Sequence, residues 1–542
     1  LIRRQRQMCI RDRSEPGDED KRKMRPFERS RVHVHYIPAA RDPVKQVRHV
    51  SGTIMHRLLN AVNWSDEVRS SMEVASDSIS EAFDGEPGVR LIQDAMGENW
   101  QALHASADYR EVSIRPIGRR LEDILRQIET VFRPSPDGKE DSVDRLSDGL
   151  KSLFYLSMVA AAFDIEELLL AGSATYEADH GTVDEAISQE QLDPPSLTVF
   201  AVEEPENHLA PHYLGRIMAA FRAISQSPRA QVAITSHAPS VIRRIEPEEI
   251  RHLRLDPATG TATLRAIKLP DATDEAHKFV RQAVKAYPEL YFSRFVVLGE
   301  GDSEEVVLPR LSDALGLPFD TSFVSVVPLG GRHVNHFWRL LNDLEIPFCT
   351  LLDLDRERGG GGWGRVKYAC KQLLAIGVTK EAILTVDDGN GGTRVLSDEE
   401  LAEMHTWDVT DTKQMSGWAR KLEKHGVFFS IPLDLDFLML KRFRGAYEAT
   451  AADRRGPRIP VEDDDDKQEQ DAAALAAVLK SPDSDATTYT NYDASLFYWY
   501  RYLFLGREKP TTHILALAGL SDEDIAAGCP AVLRRGIVKS CG

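Results

Sequence analysis

Cysteine is scarce. There are five in 542 residues (Cys9, Cys349, Cys370, Cys529 and Cys541), with no CxxC pair and no zinc-ligand spacing. That usage argues against a disulfide scaffold or a zinc module and reads as reduced thiols in the cytoplasm. Long apolar runs are missing too. None approaches the ~20 residues of a membrane helix, so no membrane association is expected. Basic charge is in deficit: 67 Lys and Arg stand against 85 Asp and Glu, a formal net charge of −18. Nucleic-acid binding through bulk charge is thereby disfavoured, although local basic clusters are not. Nowhere is there a GxxxxGK[ST] loop, the phosphate cradle of nucleotide-binding proteins.

What is present is a repeated theme of apolar strands that end in acids. Phe295-Val-Val-Leu298 reads as a buried strand, broken by Gly299 and Gly301, with a helix-forming run from Ser303. Glu300 sits at the strand end and Glu304 on the first helical turn. Phe348-Cys-Thr-Leu-Leu352 then delivers Asp353 and Asp355, and Val427-Phe-Phe-Ser430 precedes Asp434 and Asp436. In parallel α/β sheets the strand C-termini share one edge, and that edge carries the site. Unpaired acids gathered there repel one another, and divalent cations with oxygen ligands resolve the conflict. For Glu300 and Glu304 the plainer alternative is a favourable charge at a helix N-terminus.

The EGxxE and DxD pair at βαβ spacing resembles a Toprim domain, and specifically the nuclease half of the OLD (overcoming lysogenisation defect) family of ATP-dependent endonucleases. The loop Asp353 to Arg365, with its glycine run Gly359 to Gly362, resembles the class 2 branch. The resemblance extends from about His35 onward. It implies hydrolysis of DNA phosphodiesters with two Mg²⁺ or Mn²⁺ ions. Glu300, Glu304, Asp353, Asp355, Asp434 and Asp436 are the candidate metal ligands, and Lys509 of Lys509-Pro510 the candidate to stabilise charge on the scissile phosphate. Catalytic roles fall to Glu300, Glu304, Asp353, Asp355, Asp436 and Lys509. Arg332, His333, Arg356, Arg358, Arg365, Lys367 and Lys371 are candidates for a DNA backbone path, each with a solvated charged face as the alternative.

The earlier half resembles part of an ABC-type ATPase. Leu146-Ser-Asp-Gly149 before a long apolar helix (Leu153 to Leu170) is similar to a degenerate signature loop, with Ser147 and Gly149 matching. Ser147 is also simply a good N-cap. Leu197-Thr-Val-Phe-Ala-Val-Glu-Glu-Pro205 is similar to a Walker B strand. The resemblance implies that Glu203 holds Mg²⁺ through water and that Glu204 is catalytic, polarising the attacking water. His237, ending Gln231 to Thr-Ser-His, is similar to a switch histidine. ATP is therefore the implied cofactor of the full-length protein. Without the phosphate loop, this stretch is expected to fold but not to hydrolyse ATP.

The resulting expectation is an α/β chain in three stretches. Residues 1–28 form a non-native or disordered leader (LIRRQRQMCIRDR), a native basic arm being the alternative, and sequence upstream is expected to be missing. Residues 29–290 form the C-terminal part of the ATPase, with a helical insertion at about 51–110. Residues 291–542 form a Toprim domain with a parallel sheet and a C-terminal helical extension. Within these stretches, helices are expected over Arg119–Val131, Ala276–Tyr287 and His333–Leu344, strands over Glu111–Ile114 and Phe323–Val327, and a surface loop over Ala171–Pro195. The expected partners are DNA, a second copy of the chain (the helical insertion supplying contacts, a plain helical cover over the ATPase sheet being the alternative) and a UvrD-like helicase, in phage defence or DNA repair. A non-catalytic ATP-gated DNA-binding scaffold is the competing reading. A topoisomerase would need a nucleophilic-tyrosine domain, and Tyr489 to Tyr502 has no such setting. A primase would need the zinc module that is lacking.

Overall fold

The computed structural model describes residues 25–39, 53–103, 116, 118, 120–128, 130–132, 140–171, 183–256, 259–267, 281, 285–329, 334–389, 391–451, 456–460, 467–481, 484–506 and 508–542. The chain divides into two compact units, Leu1–Val241 and Ile242–Gly542. The expected strand Glu111–Ile114, most of the helix Ala276–Tyr287, Arg332 and His333 lie outside the described residues, as does the leader through residue 24.

The first unit is built on a three-stranded parallel sheet of β1 (Val32–Ile37), β2 (Leu197–Glu203) and β3 (Ala230–Thr235), with β2 in the middle. Strand β2 alternates as a central strand must, burying Thr198, Phe200 and Val202. Helix α1 (Asp148–Ala171) and helix α2 (Pro211–Ile224) supply Phe163 and Phe221, whose rings meet Phe200. Two further helices, Asp66–Gly85 and Pro87–Leu103, lie in the stretch expected as an insertion and leave Val74, Ile79, Leu91, Ile92 and Met96 exposed.

Two local expectations are corrected here. The helix expected over Arg119–Val131 is a single turn, Leu121–Leu125, and Val131–Phe132 pairs as a strand with Asp141–Ser142. The β-branched residues Ile128, Thr130 and Val131 favour extended backbone. The stretch Ala171–Pro195 is not wholly loop. Ser188 caps a short helix, Gln189–Leu192, and Leu192 is buried against Ala61 and Leu169.

The second unit is organised by a four-stranded parallel sheet. Its strands are β6 (Phe295–Gly299), β7 (Val324–Pro328), β8 (Phe348–Asp353) and β9 (Val427–Ser430), in the order β9-β8-β6-β7. A hairpin of β4 (Arg251–Leu255) and β5 (Ala262–Ala266) precedes them. The strand expected at Phe323–Val327 begins one residue later, because Phe323 takes a left-handed turn (φ 55°) and stays exposed. The helix expected at His333–Leu344 is α4 (Val334–Asp343).

Side chains alternate across this sheet into two cores. Val296, Leu298 and Leu352 enter one with Trp338, Trp363 and Val366; Val297, Leu351 and Phe428 enter the other with Val307, Phe437 and Leu496. Both faces are covered, which is why the strands read as continuous apolar runs rather than alternating ones. The first core also takes in Ile242, Ile250 and Ile267, and His252 Nε2 lies 2.9 Å from the Tyr291 carbonyl. The compact unit therefore begins at Ile242, earlier in the chain than the boundary expected near 290. Helices α5 (Leu435–Arg442), α6 (Asn491–Tyr500) and α7 (Lys509–Ala518) close the second core.

Candidate metal centre

Three adjacent strands bring their acids to one edge. Glu300 follows β6, Asp353 ends β8, and Asp434 follows β9, with β8 between the other two. Glu300 Oε1 accepts from the Asp353 backbone N–H at 3.0 Å, so the first two acids share one corner. Asp353 Oδ1 in turn accepts from the N–H of Leu435 at 3.2 Å. Carboxylate oxygens of Asp353, Asp355 and Asp434 lie within 4.8 Å of one another. A cleft of about 280 Å³ opens beside them, lined by Glu300, Glu304, Asp353, Asp434, Asp436 and Lys509 among others. The six acids and the lysine singled out in the sequence thus occupy one neighbourhood.

Local structure explains how each is held. Helix α3 (Asp302–Ala314) starts directly after β6, and Glu304 Oε2 accepts from the Gly301 N–H at 3.0 Å, as an N3 glutamate does in a capping box. The helix-start reading of Glu304 therefore holds alongside its place in the cleft. This turn requires Gly299: a Cβ there would lie 2.5 Å from the Cβ of Glu304. Asp434 caps α5, its Oδ1 accepting from the Phe437 N–H at 2.9 Å, while its Oδ2 accepts from the Tyr500 hydroxyl at 2.5 Å.

Burial dominates the electrostatics. It pushes Glu300 up to about 7, against the Arg365 guanidinium and the Asp353 N–H, which act the other way. It pushes Glu304 up to about 8. Asp353 and Asp434 are raised by burial and then by neighbouring acids. Asp436 is the exception. Despite burial, its bonds to His513 and Lys509 hold it below the ordinary carboxylate range. Lys509, whose Nζ is 2.5 Å from Asp436 Oδ2, is correspondingly raised by its acidic neighbours in spite of burial.

Several of the basic residues expected along a DNA path turn inward instead. Arg358 reaches Asp355 Oδ1 at 2.6 Å and Asp434 Oδ2 at 3.1 Å. Arg365 reaches Asp355 Oδ2 at 2.6 Å and Glu300 Oε2 at 3.2 Å. Arg356 donates to the Thr488 carbonyl, and Lys367 to that of Ala402. Lys371 is exposed. The glycine run forms a compact turn, in which the Gly362 N–H donates to the Leu354 carbonyl at 2.7 Å.

The donor set fits hard divalent cations. Every candidate ligand atom is a carboxylate oxygen, the donor type that Mg²⁺ and Mn²⁺ prefer over softer metals. Four of the six acids are pushed toward protonation by burial, so positive charge at this edge relieves them.

Sequence reasoning passed over Ser303, Tyr447, Tyr500 and His513. Ser303 Oγ donates to Asp436 Oδ1 at 2.8 Å, and His513 Nε2 lies 2.9 Å from the same oxygen. His513 was legible in part. It stands four residues after Lys509 on α7, so the two share a helix face. Tyr500 carries no such signal.

In the first unit, Glu204 and His237 meet: His237 Nδ1 is 3.1 Å from Glu204 Oε1, and Asn207 Nδ2 donates to Glu204 Oε2 at 2.8 Å. Glu206 Oε1 accepts from Ser236 Oγ at 2.7 Å and fixes the strand end before His237. Glu203 ends β2 and hydrogen-bonds Tyr36, which holds that phenol above its ordinary range. Ser147 Oγ accepts from the Leu150 N–H at 3.4 Å, the N-cap role. Gly149 packs so closely on the loop after Glu204 that a Cβ would lie 2.6 Å from the His208 carbonyl oxygen.

Residues 291–355 match the family described as overcoming lysogenization defect protein-like, TOPRIM domain. The second unit carries an OLD-like Toprim domain. Residues 56–243 match an AAA-domain family whose description names the AbiEii toxin of type IV TA systems. Among curated proteins, endonuclease GajA of Bacillus cereus (strain VD045) is 24% identical over 169 residues, which is 31% of this chain and 28% of that protein. The matched segment thus spans under a third of that relative's length. Among solved structures, the C-terminal region of the Xanthomonas campestris pv. campestris OLD protein is 21% identical and covers 46% of this chain and 95% of its own, with a TM-score of 0.27. That of the Burkholderia pseudomallei OLD protein is 20% identical and covers 46% and 98%, with a TM-score of 0.28. By the two family matches, the chain pairs an AAA-type segment with an OLD-like Toprim domain. Among the described residues, no helix is long and apolar enough to cross a membrane.

Proposed function

We propose that the chain is a metal-dependent DNA endonuclease whose Toprim domain hydrolyses phosphodiester bonds. The observation that carries this reading is the convergence of Asp353, Asp355 and Asp434 oxygens within 4.8 Å beside a cleft that also exposes Lys509. Asp353, Asp355 and Asp434, with Glu300 and Glu304 adjoining, would hold Mg²⁺ or Mn²⁺. Such ions, when bound, supply Lewis-acid activation of water and neutralise charge on the departing oxygen.

The chain's own residues do the rest. Lys509 directs a positive charge into the cleft, where it stabilises charge on the phosphate. Arg358 and Arg365 hold Asp355 from both sides and keep its carboxylate oriented. The ATPase segment, with Glu204 and His237 paired, regulates cutting in the full-length protein. A homodimer, a partner helicase and a role in phage defence extend the same proposal on the strength of the family.

The test is nicking of supercoiled plasmid in Mn²⁺ by the full chain and by Glu300→Ala. Nicking by the parent and its loss in the variant support the nuclease. Equal nicking by both points to a contaminant and favours the DNA-binding scaffold.

A further inference from the structure

Both oxygens of Asp436 are engaged by the protein, as are those of Asp355 and Asp434, but Asp436 is the one of the six acids paired with Lys509. Its Oδ1 accepts from Ser303 Oγ at 2.8 Å and from His513 Nε2 at 2.9 Å. Its Oδ2 faces Lys509 Nζ at 2.5 Å. A carboxylate oxygen offers about two lone pairs, so Oδ1 is saturated. A divalent cation approaching Oδ2 would meet the lysine's charge on that same oxygen.

Behind Asp436 lies a second layer. Tyr447 and His513 are both wholly buried, and Tyr447 Oη is 2.5 Å from His513 Nδ1. Only one neutral tautomer satisfies both contacts: the tyrosine O–H donates to Nδ1, and Nε2–H donates to Asp436. The ring is therefore a one-way spacer between a buried hydroxyl and the carboxylate.

Lys509 is the first residue of α7, with His513 one turn on. A cation at a helix N-terminus is disfavoured by the helix dipole, so this lysine needs a fixed anion to stay in place. Asp436 is that anion, and His513 fixes it.

We propose that Asp436 is the anchor of Lys509 rather than a metal ligand, and that His513, oriented by Tyr447, is the positioning residue that aims the pair into the cleft. This inference rests on the nuclease reading for its catalytic consequence, but the anchoring itself does not.

The experiment compares His513→Gln with His513→Asn in the full chain. A glutamine amide nitrogen reaches the Nε2 position and restores donation to Asp436; an asparagine nitrogen reaches only the Nδ1 position. Acylation of Lys509 by acetic anhydride, mapped by mass spectrometry against the other lysines, reports the anchor without any reliance on activity. His513→Asn is expected to raise Lys509 labelling severalfold, and His513→Gln to leave it near the parent level.

In Mn²⁺-dependent nicking, His513→Asn is expected to lower kcat by about 10–100-fold with the DNA KM and the Mn²⁺ half-saturation unchanged, and His513→Gln to recover most of it. Unchanged Lys509 labelling in His513→Asn overturns the anchor. Equal losses in both variants, or a large shift in Mn²⁺ half-saturation, overturn the positioning role and return Asp436 to the metal. If the parent does not nick, the nuclease reading fails while the labelling result still decides the anchor.

Discussion

At the scale of single residues, the cleft is held together by charges that burial would otherwise expel. Glu300 and Glu304 lose their protons near 4.5 in an unfolded chain but keep them to about 7 and about 8 when folded. Between those limits the folded state binds more protons than the unfolded one, so metal-free stability falls as pH rises from about 4.5 to about 8. Cation binding needs the deprotonated acids, so the stabilisation by Mn²⁺ grows over the same window. Thermal melts across pH, with and without MnCl₂, are expected to diverge as pH rises; parallel curves would contradict this picture of the two glutamates. Tyr500 gives a second case. Its hydroxyl donates to Asp434 Oδ2 and accepts from Arg358 Nη2 at 3.2 Å. Tyr500→Phe is expected to cost about 1–3 kcal/mol in a denaturant titration, because two buried polar partners lose a bond. Neither Tyr500 nor Tyr447 was legible beforehand, since a tyrosine in an apolar helix looks the same whether its hydroxyl meets an acid or water. The acids themselves were legible because each follows an apolar run, and a strand end fixes a side chain in space more tightly than a helix or loop position does.

Among the elements, the turn between β6 and α3 is the most constrained. Gly299→Ala is expected to destabilise the protein by roughly 1–3 kcal/mol, since a Cβ crowded against Glu304 must push the turn apart. Calorimetric melting measures it, and a change near zero would mean the turn relaxes freely. The four strands of the Toprim sheet were readable from their apolar runs, because a strand buried on both faces leaves few alternatives. The sheet order was not readable: nothing in Val427 to Ser430 says that it adds beside β8 rather than beyond β7. The arginines were misread for a related reason. Arg358 stands in a glycine-rich loop and Arg365 in the first turn of the helix after it, Trp363–Ala375, a stretch that reads as a surface feature, but the compact turn folds both back onto Asp355 and Glu300.

For the whole molecule, a net charge of −18 sits uneasily with the proposed DNA substrate. The resolution is local: cations at the acidic edge would reverse its sign just where the proposed substrate's phosphate would approach, while Lys509 adds a fixed positive charge beside it. The two compact units, one with Glu204 against His237 and the other with the acidic cleft, each carry their own candidate chemistry. Everything proposed for the second depends on the carboxylates binding divalent ions together. Calorimetric titration of the full chain with MnCl₂ at about pH 8, beside Asp353→Asn and Asp434→Asn, tests that directly. Saturable Mn²⁺ binding by the parent, abolished or weakened at least about tenfold in each variant, is the expected result. Parent and variants that bind Mn²⁺ alike, or a parent that binds none, would contradict it.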